Sequence, residues 1–394
     1  MDDPILTVSK EQLKQKNKIK FFIEDYWDIF IGLVSIFFAI YFHSLGQSGI
    51  ATLFAAIGIG ALSITVSEVA EILSIRFQEP YGSFILTLSA VVVEIILLYI
   101  ILLQAFDNPE AVETVRGGII SAVIVDMNVL LGLAVFLGGL RYKEQEHNKE
   151  TSSSYTTILF VTGVALLVPS LLSEVKYSQE IVYEASVLIS LLLLAFYIAI
   201  VVFQTKTHTH FFQQTARSRL FRLKRKMQEQ EDSLPSEDDY IFDKFNDFGL
   251  ILSIIFFIAI IAFGAEVFAK DGLKLARDYG ISAGIAGLII AIVAVAPEIT
   301  TAIKAAKNDE IQRVVNIAMG ASTVSILITV PVLMALAYAS GIRFTLDFNP
   351  LEIGALILTI ILAWKTTDEG HTNYFEGISH LMFFIAFAII AAYY

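Results

Sequence analysis

Eleven stretches of this chain stay apolar for about as long as a helix needs to cross a bilayer, roughly 20 residues. They cover residues 26–43, 50–75, 82–104, 117–140, 155–173, 181–203, 247–269, 281–303, 314–340, 351–364 and 375–394. Lipid offers an open strand no hydrogen-bond partners, so every stretch must be helical. Only 17% of the residues are charged, against about 25% in soluble domains. The fold class is therefore an all-α polytopic membrane protein with 11 transmembrane helices. Cysteine is absent, which excludes disulfides, Cys-ligated zinc, iron–sulfur clusters and thiol catalysis. No basic domain stands apart from the apolar stretches, so the expected partner is membrane lipid and not nucleic acid.

Residues 1–25 form a polar, lysine-bearing tail without the apolar core of a signal peptide. Residues 26–45 are read as a leading transmembrane helix, and residues 46–203 and 247–394 as five crossings each. The one long connection, 204–246, separates them. With the N-terminus placed in the cytoplasm, the inner segments hold 21 Lys and Arg and the outer segments 6. The positive-inside rule thus places the N-terminus in the cytoplasm and the C-terminus outside, in the cytoplasmic (inner) membrane.

The halves share a pattern. One carries Ser67-Glu68-Val69-Ala70-Glu71 and then Glu94 in its next helix; the other carries Ala265-Glu266-Val267 and then Glu298. An odd number of crossings per half turns one half upside down relative to the other. The expected layout is one leading helix plus two inverted five-helix repeats, an arrangement of many secondary transporters, with the substrate near the midplane.

Six of the acids that fall within apolar stretches stand out as candidates: Glu68, Glu71, Glu94, Asp126, Glu266 and Glu298. No Lys or Arg lies in the middle of any stretch. An ionised acid at a helix centre costs about 2.5–3.5 kcal/mol, so six represent on the order of 15–20 kcal/mol. Protonation or a bound metal cation removes that cost, and a cation/proton exchanger uses the two in turn. Carboxylates are hard oxygen ligands suited to Ca²⁺, Na⁺ or Mn²⁺. Glu94 has apolar chain on both sides. Glu298 follows Pro297, which frees a carbonyl upstream near Val293. Glu71 lies close to Arg76 and can be a solvated helix-end acid, as can Glu68; Asp126 can serve a helix–helix hydrogen bond. Asn316, Ser322, Thr323 and Ser325 share one helix and serve either an ion's shell or close packing.

These residues resemble the cation/proton exchanger (CAX-type) branch of the calcium:cation antiporter superfamily, in particular its bacterial ChaA-like members. The likeness rests on three stretches: Ala70-Glu71, Arg76, Glu79-Pro80-Tyr81-Gly82 and Glu94; Gly287-Leu288-Ile289-Ile290 with Ala296-Pro297-Glu298; and Gly138-Gly139-Leu140-Arg141-Tyr142-Lys143-Glu144-Gln145-Glu146-His147-Asn148. The resemblance implies metal-binding carboxylates at Glu94 and Glu298, with proton transfer and ion access at Glu71 and Glu266. Family members often carry Gly-Asn-Ala before each central Glu; here Val91-Val92-Val93 and Val295-Ala296-Pro297 stand there. The ChaA-like group shares this departure and is associated with Na⁺ and K⁺ as well as Ca²⁺.

The 204–246 loop carries six bases over 217–226 and seven acids over 229–243. It reads as a positive-inside anchor with a solvated linker, or as a headgroup and calcium-sensing segment without EF-hand spacing. The expected function is a secondary-active Ca²⁺/H⁺ antiporter exporting Ca²⁺ by alternating access, with Na⁺(K⁺)/H⁺ exchange on the same carboxylates as the alternative. No His-Glu-x-x-His and no Walker A motif is present, so neither a zinc-dependent membrane enzyme nor a self-contained ATP-driven pump is expected. No cofactor is expected beyond the transported ions. Selectivity among these cations, stoichiometry and assembly into a homo-oligomer are not encoded in these motifs.

Overall fold

The structure, a computed structural model, describes residues 26–77, 81–175, 177–208, 211 and 240–393. The 1–25 tail, Glu79 and Pro80, and most of the loop's basic and acidic runs lie outside the described residues.

Among the described residues, eleven helical spans are long and apolar enough to cross a membrane. The leading helix α1 covers Tyr26–Ser44. The first half follows with α2 (Ser48–Arg76), α3 (Tyr81–Leu103), α4 (Glu110–Val125), α5 (Leu131–Tyr142), α6 (Lys149–Glu174) and α7 (Gln179–Val202). The second half holds α8 (Asp247–Tyr279), α9 (Ala283–Lys307), α10 (Ile311–Val324), α11 (Val330–Ala339), α12 (Pro350–Thr367) and α13 (Tyr374–Tyr393). α4 and α5 form one span joined by a π-helical segment, Asp126–Leu130. α10 and α11 are joined in the same way by Ser325–Thr329. Each half therefore runs helix, helix, π-interrupted helix, helix, helix.

The halves interleave. α2 packs along α8, α9 along α4, α6 along α12, and α13 along α5. The α4–α9 crossing is a glycine contact: a Cβ on Gly287 would stand 2.6 Å from the backbone of Gly117 and Gly118. Small residues at such a crossing let two backbones meet, and this one brings the Glu298 helix against the span that carries Asp126.

Most spans match the apolar stretches closely. α8 overruns its stretch the furthest. Its 33 residues run past 269 to Tyr279, a length of about 50 Å, because the polar turns with Lys270, Asp271 and Lys274 favour helix where no lipid is needed.

Span alternation puts two sets of connections at opposite ends. At one end a two-stranded antiparallel ribbon pairs β1 (Glu144–Glu146) with β2 (His371–Asn373), and Arg76 binds Asp247 at 2.9 Å and the Asp243 carbonyl at 3.1 Å. At the other end the 341–349 connection folds inward and buries Phe344, Leu346 and Phe348. There Arg116, itself buried, bonds the Thr345 carbonyl at 2.8 Å and Glu113 at 2.6 Å, and pairs with Asp347.

Candidate functional site

Near the middle of the bundle, α3, the two π-interrupted spans and α9 enclose a cavity of about 60 Å³, lined among others by Glu94, Asp126, Glu298, Thr301 and Ser325. That is room for a few waters or one partly hydrated cation. Three elements each deliver one carboxylate: Glu94 from α3, Asp126 from the first π segment, Glu298 from α9. Ser325, which opens the second π segment, donates to Glu94 Oε2 at 2.7 Å. Ser322 donates to Asp126 Oδ2 at 3.0 Å. A third oxygen set has no donor: Glu94 Oε1, Asp126 Oδ1 and Glu298 Oε2 are all buried without a hydrogen-bond partner. No lining residue is basic. Unpaired buried carboxylate oxygens are costly unless a cation or proton joins them. Among the described residues no group of three or more His, Asp or Glu is placed to hold a metal, so a cation here would take hydroxyl, carbonyl or water oxygens beside the carboxylates.

A second cavity of about 210 Å³ adjoins the first, and Ser67 and Thr301 line both. Glu68, Glu71, Lys304, Glu310 and Arg313 face it. Arg313 pairs with Glu71 and lies 3.8 Å from Glu310. Lys304 is 3.9 Å from Glu68, and the Tyr240 hydroxyl donates to Glu68 at 3.4 Å. This polar vestibule leads from the ribbon end toward the carboxylates, while at the opposite end Arg116 tethers the 341–349 connection to α4.

Of the residues singled out in the sequence, Glu94, Asp126 and Glu298 line this one cavity, while Ser322 lies outside the lining and reaches it through its bond to Asp126, a contact between α10 and the first π segment. Glu71 and Glu68 stand together in the vestibule, but not without bases: Arg313 and Lys304 reach them from helix ends outside the apolar stretches. Glu266 is set apart. It lines neither cavity, is exposed on α8, and pairs with Lys270 at 2.6 Å, four residues on. Asn316 also stands outside the central lining and accepts from Gln312 at 3.0 Å. α9 runs helical through Pro297, whose own carbonyl is taken up by Thr300 and Thr301 at 2.7 and 3.1 Å.

Two buried groups escaped the sequence reading. His380, near the start of its apolar stretch, is fully buried and bonds Asn128 at 2.9 Å and Thr366 at 3.0 Å. Asp28, two residues into the leading helix, is 1% exposed. Its nearness to the polar tail disguised it as a helix-end acid.

Eleven membrane spans around a buried, carboxylate-lined cavity define a polytopic membrane protein with acidic groups within the bundle. The family described as sodium/calcium exchanger protein matches residues 43–206 and 249–393, and the chain belongs to it. It is 27% identical over 339 residues to the sodium-potassium/proton antiporter ChaA of Escherichia coli (strain K12), covering 85% of this chain and 87% of that one. It is 25% identical over 345 residues to the Ca(2+)/H(+) antiporter ChaA of Bacillus subtilis (strain 168), covering 86% and 91%. The fold is similar to the structure of native YfkE, with a TM-score of 0.73 at 19% identity over 93% of this chain and 100% of that one.

Proposed function

We propose that this chain is a Ca²⁺/H⁺ antiporter of the cytoplasmic membrane, a carrier and not an enzyme, exporting Ca²⁺ against inward-moving protons. The observation that carries the reading is the set of three unpartnered carboxylate oxygens on Glu94, Asp126 and Glu298, facing one cavity with no base. Glu94 and Glu298 hold the cation as substrate, and Asp126 shares the charge. When the cation leaves, protons replace it on the same oxygens. The family and the relatives named as antiporters support this.

The two halves act as inverted repeats that expose the site alternately; their common element order and interleaved packing support this. The vestibule end faces the cytoplasm, which the positive-inside count supports. In this arrangement Glu71 and Arg313 form a pair that ion passage must part, and Glu266 serves ion access only once its end opens.

Sodium or potassium exchange on the same carboxylates is the second reading. It is favoured by the relative named sodium-potassium/proton antiporter and by a lining without amide side chains. Everted membrane vesicles carrying a proton gradient, challenged separately with Ca²⁺, Na⁺ and K⁺, decide between them by which cation dissipates the gradient. Glu94→Gln and Glu298→Gln should each abolish exchange at normal expression, because the amide keeps the volume while removing the charge and the proton. Transport at the wild-type rate by either variant would sink the assignment.

A further inference from the structure

The two π-interrupted spans begin with the same short pattern. Glu113-Thr114-Val115-Arg116 stands in the first turns of α4, and Glu310-Ile311-Gln312-Arg313 opens α10. Each arginine lies about three turns ahead of its π segment. α4 starts at the end opposite the ribbon and α10 at the ribbon end, so the pattern marks both ends of the bundle.

The two guanidinium groups divide alike. Arg313 turns Nη2 to Glu71, an acid of the first half, and Nη1 toward Glu310 beside it in the chain, at 3.8 Å. Arg116 turns Nη2 to Asp347, an acid of the second half, and Nη1 to Glu113 of its own helix at 2.6 Å. Its Nε adds a bond to the Thr345 carbonyl at 2.8 Å. Each arginine thus holds one acid across the halves and one acid three residues back. The crossing acids differ in origin, since Glu71 sits on α2 and Asp347 on the 341–349 connection.

Holding the halves together needs only the crossing acid. The near acid matters when the halves separate. Arg116 is buried, and a buried guanidinium left without a partner is strongly unfavourable. Glu113 travels with Arg116 because one helix carries both, and its side chain is 55% exposed. When the connection lifts, the guanidinium keeps this partner. Glu352, another acid at this end, is occupied as the cap of α12, where it accepts from the Asn349 amide at 3.3 Å. The arginine also stands beside the parts that carry the site. Gly117 and Gly118, the next two residues, meet Gly287 of the Glu298 helix, and α4 runs on into Asp126.

We propose that Arg116 is a gate residue that changes partner. It clasps Asp347 while its end of the bundle is closed, and it rests on Glu113 when the 341–349 connection lifts to open the central cavity there. Arg313, with Glu71 and Glu310, is its counterpart at the vestibule. That the two clasps part in turn rests on the antiport reading; the partner change at Arg116 does not.

The test uses the full chain with Ala294, in the central lining, replaced by the only cysteine. A membrane-impermeant thiol reagent is added from the side opposite the ribbon, in vesicles of known orientation, and the labelling rate reads how often that end opens. Asp347→Asn weakens the clasp and should raise the rate at least about threefold. Glu113→Gln removes the resting partner and should lower the rate by a similar factor. If Arg116 only fastened the connection in place, both variants would move the rate in one direction. Rates that rise in both, fall in both or do not respond to Glu113→Gln overturn the partner change, and so does labelling absent from all three. Should Asp347→Asn fail to assemble, Thr345→Ala, which takes one hydroxyl from the guanidinium and leaves every charge in place, should raise the rate instead; no rise overturns the clasp. A wild type that exchanges none of Ca²⁺, Na⁺ and K⁺, with the labelling shifts as expected, would overturn the antiport reading and leave the partner change standing.

Discussion

The hydroxyl of Ser325 fixes one oxygen of Glu94 at 2.7 Å and leaves Oε1 open to the cavity. A hydrogen bond to a charged group contributes about 1.5–3 kcal/mol. Ser325→Ala should therefore weaken cation binding about tenfold or more, read as KM in a vesicle assay, with expression unchanged. An unaltered KM would remove Ser325 from the site. At this scale the sequence spoke clearly where an acid sat deep in apolar chain, as at Glu94 and Glu298. It misled at the edges. Asp28 looks solvated because the polar tail begins just before it, yet α2 covers it. Glu266 looks buried because its neighbours are apolar, yet it points outward, and Lys270 one turn on was the available hint.

Helices were legible as elements because lipid leaves a chain no alternative. Their interruptions were not. The π segments at Asp126–Leu130 and Ser325–Thr329 carry no proline or glycine to announce them, and they place Asp126 and Ser325 at the cavity. The glycines at 117, 118 and 287 could be seen in the sequence, but not that they meet. With Gly287 Cβ at 2.6 Å from the opposing backbone, Gly287→Val must push α9 away from α4. Overpacking of this kind costs about 1–3 kcal/mol. The expected result is a lowered melting temperature in detergent together with lost exchange, since Glu298 moves with its helix. A variant of wild-type stability and rate would show that the crossing does not position the carboxylate.

At the scale of the whole molecule, orientation comes first. Absence of cysteine gives a clean background for single cysteines labelled by a membrane-impermeant reagent. Cysteines replacing Lys149 and Glu369, both exposed at the ribbon end, should react only from the cytoplasm. Those replacing Ser178 and Arg343, exposed at the opposite end, should react only from outside. Reaction of the Ser178 variant from the cytoplasm would break the link between the vestibule and the inner face. Lys and Arg counts alone predicted this orientation, because charge bias is set by the loops and not by the packing.

A vestibule that adjoins the central cavity also bears on how pH should act. In the proposed exchange, cation and protons need the same oxygens of Glu94 and Glu298, and a protonated carboxyl offers a donor and a much weaker ligand. With the vestibule adjoining the cavity through Ser67 and Thr301, protons on that side compete for the empty site. Lowering cytoplasmic pH should raise the apparent KM for Ca²⁺ with little loss of maximal rate. A change of about tenfold per pH unit would mean one competing proton and about a hundredfold two, the carboxylates titrating as one coupled unit. Glu71→Gln leaves these oxygens untouched and frees Arg313 at the mouth, so it should lower the maximal rate more than it moves the KM profile. Should KM stay flat from about pH 6 to 9 while exchange remains proton-coupled, protons and cation cannot share the central oxygens. Proton coupling would then have to run through carboxylates outside that pair, Asp126 first among them, with its Oδ1 already without a partner.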